Sequence, residues 1–336
     1  MNKILLLIAA AFLFASCGSS SPQEPIRLQG KAQGTYYTIV YYDSLSRNFQ
    51  PQVDSMLQAF DQVASLWVDS SEIQRLNRNE TSVVSPTMRD LLEKSFAMNA
   101  YTDGAFNVFV GPLVAAWGFS FKEREELTEQ RIAELLRYSH GHYDISQNAS
   151  GQMEFTKEYP AMQVDFNAIA QGYVVDQIAA WLRKQGIGSY LVDVGGEVIA
   201  KGLKPDGTHW SVGVERPADD KDDAPEIQAV IALDNMSVVT SGNYRKYYEK
   251  DGVRYSHTID PATGRPVEHS LLSVSVIDPE SWRADALATA FMVMGLERSL
   301  QFIESHPQNP AVFFIYDQDG EYATYATPEF QELIIE

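Results

Sequence analysis

The chain has 336 residues, 45% of them hydrophobic, which allows about two domains or one large two-lobed unit with an ample core. Its formal charge of −19 argues against nucleic acid as a partner, because phosphate backbones are bound through Lys and Arg. The same charge makes an anionic ligand hard to hold unless a metal cation offsets it locally.

The first stretch, MNKILLLIAAAFLFASCGSS, has a positive Lys3, an apolar run from Ile4 to Ala15, then small residues and Cys17. The run falls short of the roughly 20 apolar residues a membrane-spanning helix needs, so residues 1–16 read as a secretory signal peptide. Phe14-Ala15-Ser16-Cys17 resembles a bacterial lipoprotein signal, with Leu13 adjacent to the position where Leu is usual. This predicts cleavage before Cys17 and lipid on its sulfur. Cys17 is the only cysteine, so it has no disulfide to make within the chain. Residues 17–25 then form the lipidated end and a flexible tether, and the protein is expected to be exported and lipid-anchored to a bacterial membrane, facing the periplasm.

Thr35 to Tyr42 is β-branched and aromatic, which predicts a strand. Pro51 to Trp67 shows helical spacing in Val53, Met56, Leu57, Phe60, Val63, Ala64 and Trp67. A second helix spans Pro86 to Tyr101, with Ser85 as N-cap and Pro86 at its first position. A more polar helix is expected over 123–139 and another over 170–185, ended by Gly186. Ser189 to Val194 reads as a strand running into Gly195-Gly196, and strands follow near 198–200, 209–214 and 227–233. Pro217 to Pro225 is a charged surface loop. Strands are expected at 238–239, 253–259 and 271–277, then a helix over 284–296. Ala311 to Tyr316 and Glu321 to Tyr325 make a hairpin across Gln318-Asp319-Gly320. Helices and strands mix without a strict βαβ rhythm, so the predicted class is α+β with at least one largely antiparallel sheet.

Certain segments carry chemistry as well as scaffold. In VDFNAIAQGYVVD (164–176), Asp165 precedes a helix whose start holds Ala168, Ala170 and Gly172. Small residues there admit another group, and a helix N-terminus attracts anions, although Asp165 as an N-cap with Ala for close packing accounts for the pattern equally. In LVDVGGE (191–197), paired glycines expose backbone N–H groups or simply make a tight turn. Thr240-Ser241-Gly242 follows an apolar strand and projects hydroxyls from a sheet edge. His257 and Asp260 flank a strand end, and a histidine there is either structural or suited to proton transfer near neutral pH. Finally, ADALATAFMVMGL (284–296) sets Asp285 and Thr289 on one face of an otherwise apolar helix. Asp285 can complement the macrodipole and Thr289 can bond back to its own helix, or the two can form half of a Mg²⁺ site.

The ordered set QGTYY (33–37), SLWVDSSEIQRLN (65–77), DGAFNVFVGPLVAAWGF (103–119), VDFNAIAQGYVVD, LVDVGGE, VVTSGNYRKYY (238–248), YSHTIDPATGRPV (255–267) and ADALATA (284–290) closely resembles the FAD:protein FMN transferase family, the ApbE type. The likeness covers about residues 30–316, and makes residues 26–336 one catalytic unit of two lobes. It implies an enzyme that uses Mg²⁺ to split the pyrophosphate of FAD and pass FMN to a threonine hydroxyl of a partner, releasing AMP. Acceptors in the family are membrane redox subunits of the sodium-pumping NADH:quinone reductase or Rnf type.

Carried over by position, Asp285 and Thr289 match the metal-binding pair, with a backbone carbonyl near Ala168 as third protein ligand. Trp67 stands where the family has an aromatic over the isoalloxazine ring. Gln33 to Tyr36, Gly104, Ala105, Phe106 and Asn107, Asp193 with Gly195, Gly196 and Glu197, and Thr240, Ser241 and Gly242 match flavin, ribose or adenosine contacts, beside Asp165 and Gln171. His257 matches the histidine before the Asp-Pro turn and is the proton-transfer candidate; with Asp285 it makes the expected catalytic pair. Three positions depart from the family's habit: Gln33 replaces Met, Asn107-Val108-Phe109 replaces Asp-Pro-Thr, and Gln171 replaces Lys. The last removes a cation near the phosphates, leaving Mg²⁺ and helix-end N–H groups to stabilise more of the charge. Two other readings use the same residues: an FAD pyrophosphatase in which water replaces threonine, and a lipid-anchored flavin-binding protein that releases no AMP.

Overall fold

A computed structural model describes residues 24–119, 125–217, 226–243, 247–250, 253–306 and 310–335, with only the backbone described for 247–250 and 253–256. The expected signal peptide, Cys17, the tether up to residue 23 and all of the charged loop beyond Pro217 lie outside these residues. The described chain opens with the hairpin β1 (Ile26–Ala32) and β2 (Thr35–Tyr41). Among the described residues the helices α1 (Gln50–Ala64), α2 (Glu72–Asn77), α3 (Pro86–Tyr101), α4 (Gly111–Ala116) and α5 (Glu129–Ser139) follow. The hairpin β3 (Tyr143–Gln147) and β4 (Met153–Lys157) leads to α6 (Ala170–Lys184), then β5 (Tyr190–Val194), β6 (Glu197–Lys201), β7 (Trp210–Arg216), β8 (Glu226–Leu233) and β9 (Ser237–Gly242). Short pairs β10 (Tyr247–Lys250) with β11 (Val253–Ser256) and β12 (Ile259–Asp260) with β13 (Arg265–Pro266) precede β14 (Leu271–Asp278) and the long helix α7 (Ser281–Ser305). The described chain ends with β15 (Ala311–Gln318), β16 (Glu321–Ala326) and α8 (Pro328–Gln331).

Among the described residues the main sheet has eight strands in the order β1-β2-β5-β6-β9-β14-β15-β16, and every neighbouring pair is antiparallel. The expected α+β class with an antiparallel sheet is therefore what the chain adopts. Side chains alternate across each strand. On β2, Tyr37, Ile39 and Tyr41 enter the core shared with α1, α3, α6 and α7, while Val40 faces the opposite core. On β15, Val312 and Phe314 take the first side and Ala311, Phe313 and Ile315 the second. The second core is closed by Trp210, Val214, Ala229, Ile231 and Leu233 of the β7–β8 hairpin and by Phe330 of α8. With both faces covered, β14 is buried at every residue but Leu272, its Ser273 and Ser275 included, and β15 is buried from Ala311 to Ile315.

Several expected boundaries shift for local reasons. The first helix stops at Ala64, not Trp67, because Ser65 turns extended and its N–H closes on Asp61 O at 3.2 Å. The helix expected from 123 begins at Glu129, where Thr128 supplies the N-cap oxygen. The strand expected over 253–259 breaks after Ser256. The helix expected over 284–296 runs from Ser281 to Ser305, interrupted at Gly295 with φ 74°. The carbonyl of Met292, at that break, meets His269 Nε2 at 2.8 Å, while His269 Nδ1 accepts from Leu271 N; together these bonds set the Nε2–H tautomer.

Candidate functional site

Two hairpin turns meet at one end of the sheet. Ala32 pairs with Thr35, so Gln33-Gly34 is a two-residue turn with φ 53° and 74°. Val194 pairs with Glu197, so Gly195-Gly196 is another, with φ 69° and 105°. Positive φ at both central positions is the requirement of the hairpin turn whose twist matches the strands, and glycine meets it without strain. The tight-turn role of Gly195-Gly196 is thus the observed one. Asp193 Oδ1 accepts from Gly196 N at 3.0 Å and Tyr36 O accepts from Gly195 N at 2.9 Å, which locks the two turns side by side. A Cβ on Gly195 would stand 2.3 Å from Gln171 Nε2, 2.8 Å from Thr35 Cγ2 and 3.3 Å from Glu197 Oε2, so these side chains ring the turn. The pairing of Val198 with Val238, continued along both strands, brings Thr240 to Gly242 to the same sheet end. Thr240 Oγ1 lies 2.7 Å from Ser275 Oγ, and Ser241 Oγ lies 3.5 Å from Thr289 Oγ1 on α7.

Helices α6 and α7 complete the cluster. The α6 N-cap is Ile169, without a side-chain cap, so Asp165 is not the helix cap that its position suggests; it accepts instead from Asn167 N in a local turn at 2.8 Å. Ala168 lies in the half-buried segment just before α6. Asp285 is 4% exposed and its Oδ2 accepts from Gly172 N at 3.0 Å, the one hydrogen bond it makes among the described residues. Burial first, and then the charge of Asp176, pushes the Asp285 carboxyl well above the ordinary carboxylate range. No Lys or Arg among the described residues pairs with it. A desolvated carboxylate without a countercharge, one turn from a hydroxyl that meets a second hydroxyl, suits a hard cation. Among the described residues no three His, Cys, Asp or Glu side chains gather into a metal cage. Asp285 and Thr289 supply hard oxygen donors, the ligand type that Mg²⁺ takes together with waters and substrate phosphates.

The remaining predicted residues divide. His257 is half-buried between β11 and β12, its ring 6.5 Å from Phe119. Its neighbour Thr258 donates to Asn243 Oδ1 at 2.8 Å, directly after Gly242, which brings His257 to the β9 end of the cluster. Tyr36 and Trp67 are 67% and 70% exposed. Tyr36 stands on β2 just past the 33–34 turn, and Trp67 lies on the loop after α1. The 104–107 segment is instead engaged by the fold. Phe106 is buried, its N–H donating to Thr102 Oγ1 and its carbonyl accepting from Asn99 Nδ2. The Asn107 amide reaches Ser139 O and Phe109 N. Gly104 takes φ 81° in the turn before it, and Ala105 is buried. Directly after this segment, Val108 O accepts from Asp165 N.

Sequence reasoning missed what holds 162–165 in place. Asn77 Nδ2 donates to Val164 O at 2.8 Å and Asn77 Oδ1 accepts from Val164 N at 2.7 Å, imitating a strand partner inside the core. Lys157 Nζ donates to Leu76 O and Met162 O, and burial draws its pKa down to about 8. Asn77→Ala strands two buried backbone groups and is expected to cost roughly 2–4 kcal/mol. Urea unfolding would register this as a lower midpoint with an unchanged slope.

The ApbE family model matches residues 33–314. An FAD:protein FMN transferase of Vibrio cholerae is 35% identical over 99% of this chain and 99% of its own. That of Escherichia coli K12 is 34% identical over 98% of this chain and 96% of its own. The solved flavin transferase ApbE of Vibrio cholerae superposes with a TM-score of 0.79 at 32% identity, covering 93% of this chain and all of that one. The apo flavinyl transferase ApbE of Pseudomonas stutzeri gives 0.80 at 33% identity, covering 94% and 98%. A family match over most of the length, full-length relatives above 30% identity and a shared fold agree with the cluster at the sheet end: the chain belongs to the ApbE family.

Proposed function

We propose that this protein transfers FMN from FAD to a threonine hydroxyl of a partner protein, with Mg²⁺ bound at Asp285 and Thr289 and a carbonyl near Ala168. The observation that carries this reading is the buried Asp285 carboxyl, without a countercharge among the described residues and one helical turn from Thr289, whose hydroxyl meets that of Ser241. When bound, the ion supplies positive charge against the pyrophosphate, where negative charge spreads during phosphoryl transfer. The threonine oxygen attacks the phosphorus on the FMN side. The bond from that phosphorus to the bridging oxygen breaks, AMP leaves with the bridging oxygen, and the threonine proton passes to His257. A weak alcohol nucleophile needs such a base within hydrogen-bond reach. Exposed Trp67 and Tyr36 offer aromatic faces to the isoalloxazine ring, and the turns at Gln33 and Gly195 bring polar side chains to the sugar. Export, a lipid anchor on Cys17 and a periplasmic position would place the enzyme beside membrane redox subunits of the sodium-pumping NADH:quinone reductase or Rnf type.

Incubation with FAD and Mg²⁺, with and without a threonine-containing acceptor peptide, tests the reading by mass spectrometry. Flavin covalently on the peptide is the expected result. Free FMN and AMP with an unmodified peptide would mark a pyrophosphatase, and tight FAD binding without AMP release a carrier. His257→Ala is expected to slow transfer about 100-fold while leaving FAD binding within a factor of about two, as loss of a general base does. A changed FAD dissociation constant with unchanged turnover would make His257 a binding residue.

A further inference from the structure

Asp176, the last residue of the 164–176 motif, takes no part in the chemistry above, yet it lies at the junction of the two helices that build the site. Neither helix start is capped by its own preceding side chain. The first N–H groups of a helix have no partner within it, so they must be met from elsewhere. Here each helix meets the other's. Asp176 Oδ1 accepts from Ser281 N and its Oδ2 from Trp282 N, both at 3.0 Å. Asp285 Oδ2 accepts from Gly172 N at 3.0 Å. On each helix the carboxylate stands four residues beyond an amide that the opposite helix caps, so the arrangement is reciprocal. It closes because residue 172 is glycine: a Cβ there would sit 2.3 Å from Ser281 O and 2.9 Å from Asp285 Cβ.

We infer that Asp176 is a positioning residue for the metal pair: by holding the first two amides of α7 it fixes where Asp285 and, one turn further, Thr289 present their oxygens. The inference rests on the metal reading proposed above. Asp285 spends one oxygen on Gly172 N, and the direction of the other depends on how α7 is seated against α6. Groups that orient metal ligands without touching the ion govern affinity by about 10- to 100-fold when removed.

The test uses Asp176→Ala and Asp176→Asn in the whole chain, with Mn²⁺ titrated in the presence of FAD and followed by electron paramagnetic resonance. Asp176→Ala is expected to weaken Mn²⁺ binding about 10- to 100-fold and to speed hydrogen exchange at the Ser281 and Trp282 amides, with FAD affinity in the absence of metal unchanged. Turnover at saturating metal recovers, so the loss lies in the metal requirement. Asp176→Asn keeps one acceptor oxygen and restores part of the affinity; it also serves if the alanine variant does not fold. Mn²⁺ affinity within twofold of the parent in the folded variants overturns the positioning role. Asp285→Ala run alongside separates the two claims. If it abolishes Mn²⁺ binding while the Asp176 variants keep it, only this inference fails. If it too leaves binding intact, the metal reading fails and takes the inference with it.

Discussion

Asp285→Ala is expected to reduce Mg²⁺-dependent transfer by at least about 100-fold, the scale on which a single preorganised electrostatic contribution to charge stabilisation is lost. The fold should survive. The substitution leaves Gly172 N without its acceptor, a cost of about 1–3 kcal/mol, but it also removes a buried carboxyl that has no countercharge among the described residues. Circular dichroism and a thermal scan would register retained structure, and turnover at wild-type level would refute the assignment. A pH signature accompanies the same side chain. Burial raises the folded carboxyl above its ordinary value of 3.8, so metal-free folded protein keeps a proton that the unfolded chain releases. The stability this provides is full below 3.8 and is lost as pH rises through the raised folded value, above which a buried charge burdens the fold. A bound cation relieves that burden only where the carboxylate is ionised. Mg²⁺ should therefore raise the melting temperature clearly at pH 8 and little at pH 5; an equal increment at both would place the ion elsewhere.

Gly172→Ala is the second large effect. The added methyl would stand 2.3 Å from Ser281 O, 2.6 Å from Ser281 C and 2.9 Å from Asp285 Cβ. These are backbone and stem atoms, which cannot swing away, so α7 must move off α6. Overpacking of a buried contact costs about 1–3 kcal/mol. In a chain of this size that should lower the melting temperature by several degrees. The functional loss should exceed the stability loss, because the displaced element carries Asp285 and Thr289. Transfer measured well below the new melting temperature is expected to fall more than tenfold, with the metal requirement shifted upward. Elsewhere in a helix interior the same substitution would stabilise by up to about 1 kcal/mol, so a more stable and fully active variant would overturn the close-packing account.

Much of this was legible in the residues. Ser85-Pro86 opens α3 at the predicted position and the helix ends at Tyr101 as predicted, because the N-cap, a proline at the first position and the apolar spacing are all local. The hairpin across Gln318-Asp319-Gly320 formed for the same reason. Asp285 and Thr289 share a face by helix period alone. Strand β1 and the β3–β4 hairpin escaped prediction although IRLQGKA, YDISQ and MEFTK each alternate apolar and polar residues and each strand pairs with its neighbour in the chain. The 104–107 segment matched its family by position, yet Asn107 is turned to Ser139 O and Phe109 N, a choice that no local pattern announces.

The sequence by itself determined the periodicities, the turns that need positive φ, the charge balance and the order of motifs that marks the family, all properties of neighbours along the chain. Only the tertiary structure decided that Asp176 would cap α7 and Asp285 would cap α6, and that the turns at Gln33 and Gly195 would lie against each other. Such contacts join residues more than a hundred positions apart. They depend on which surfaces the cores press together, and the desolvation that makes Asp285 a fit partner for a cation arises only once that packing is complete.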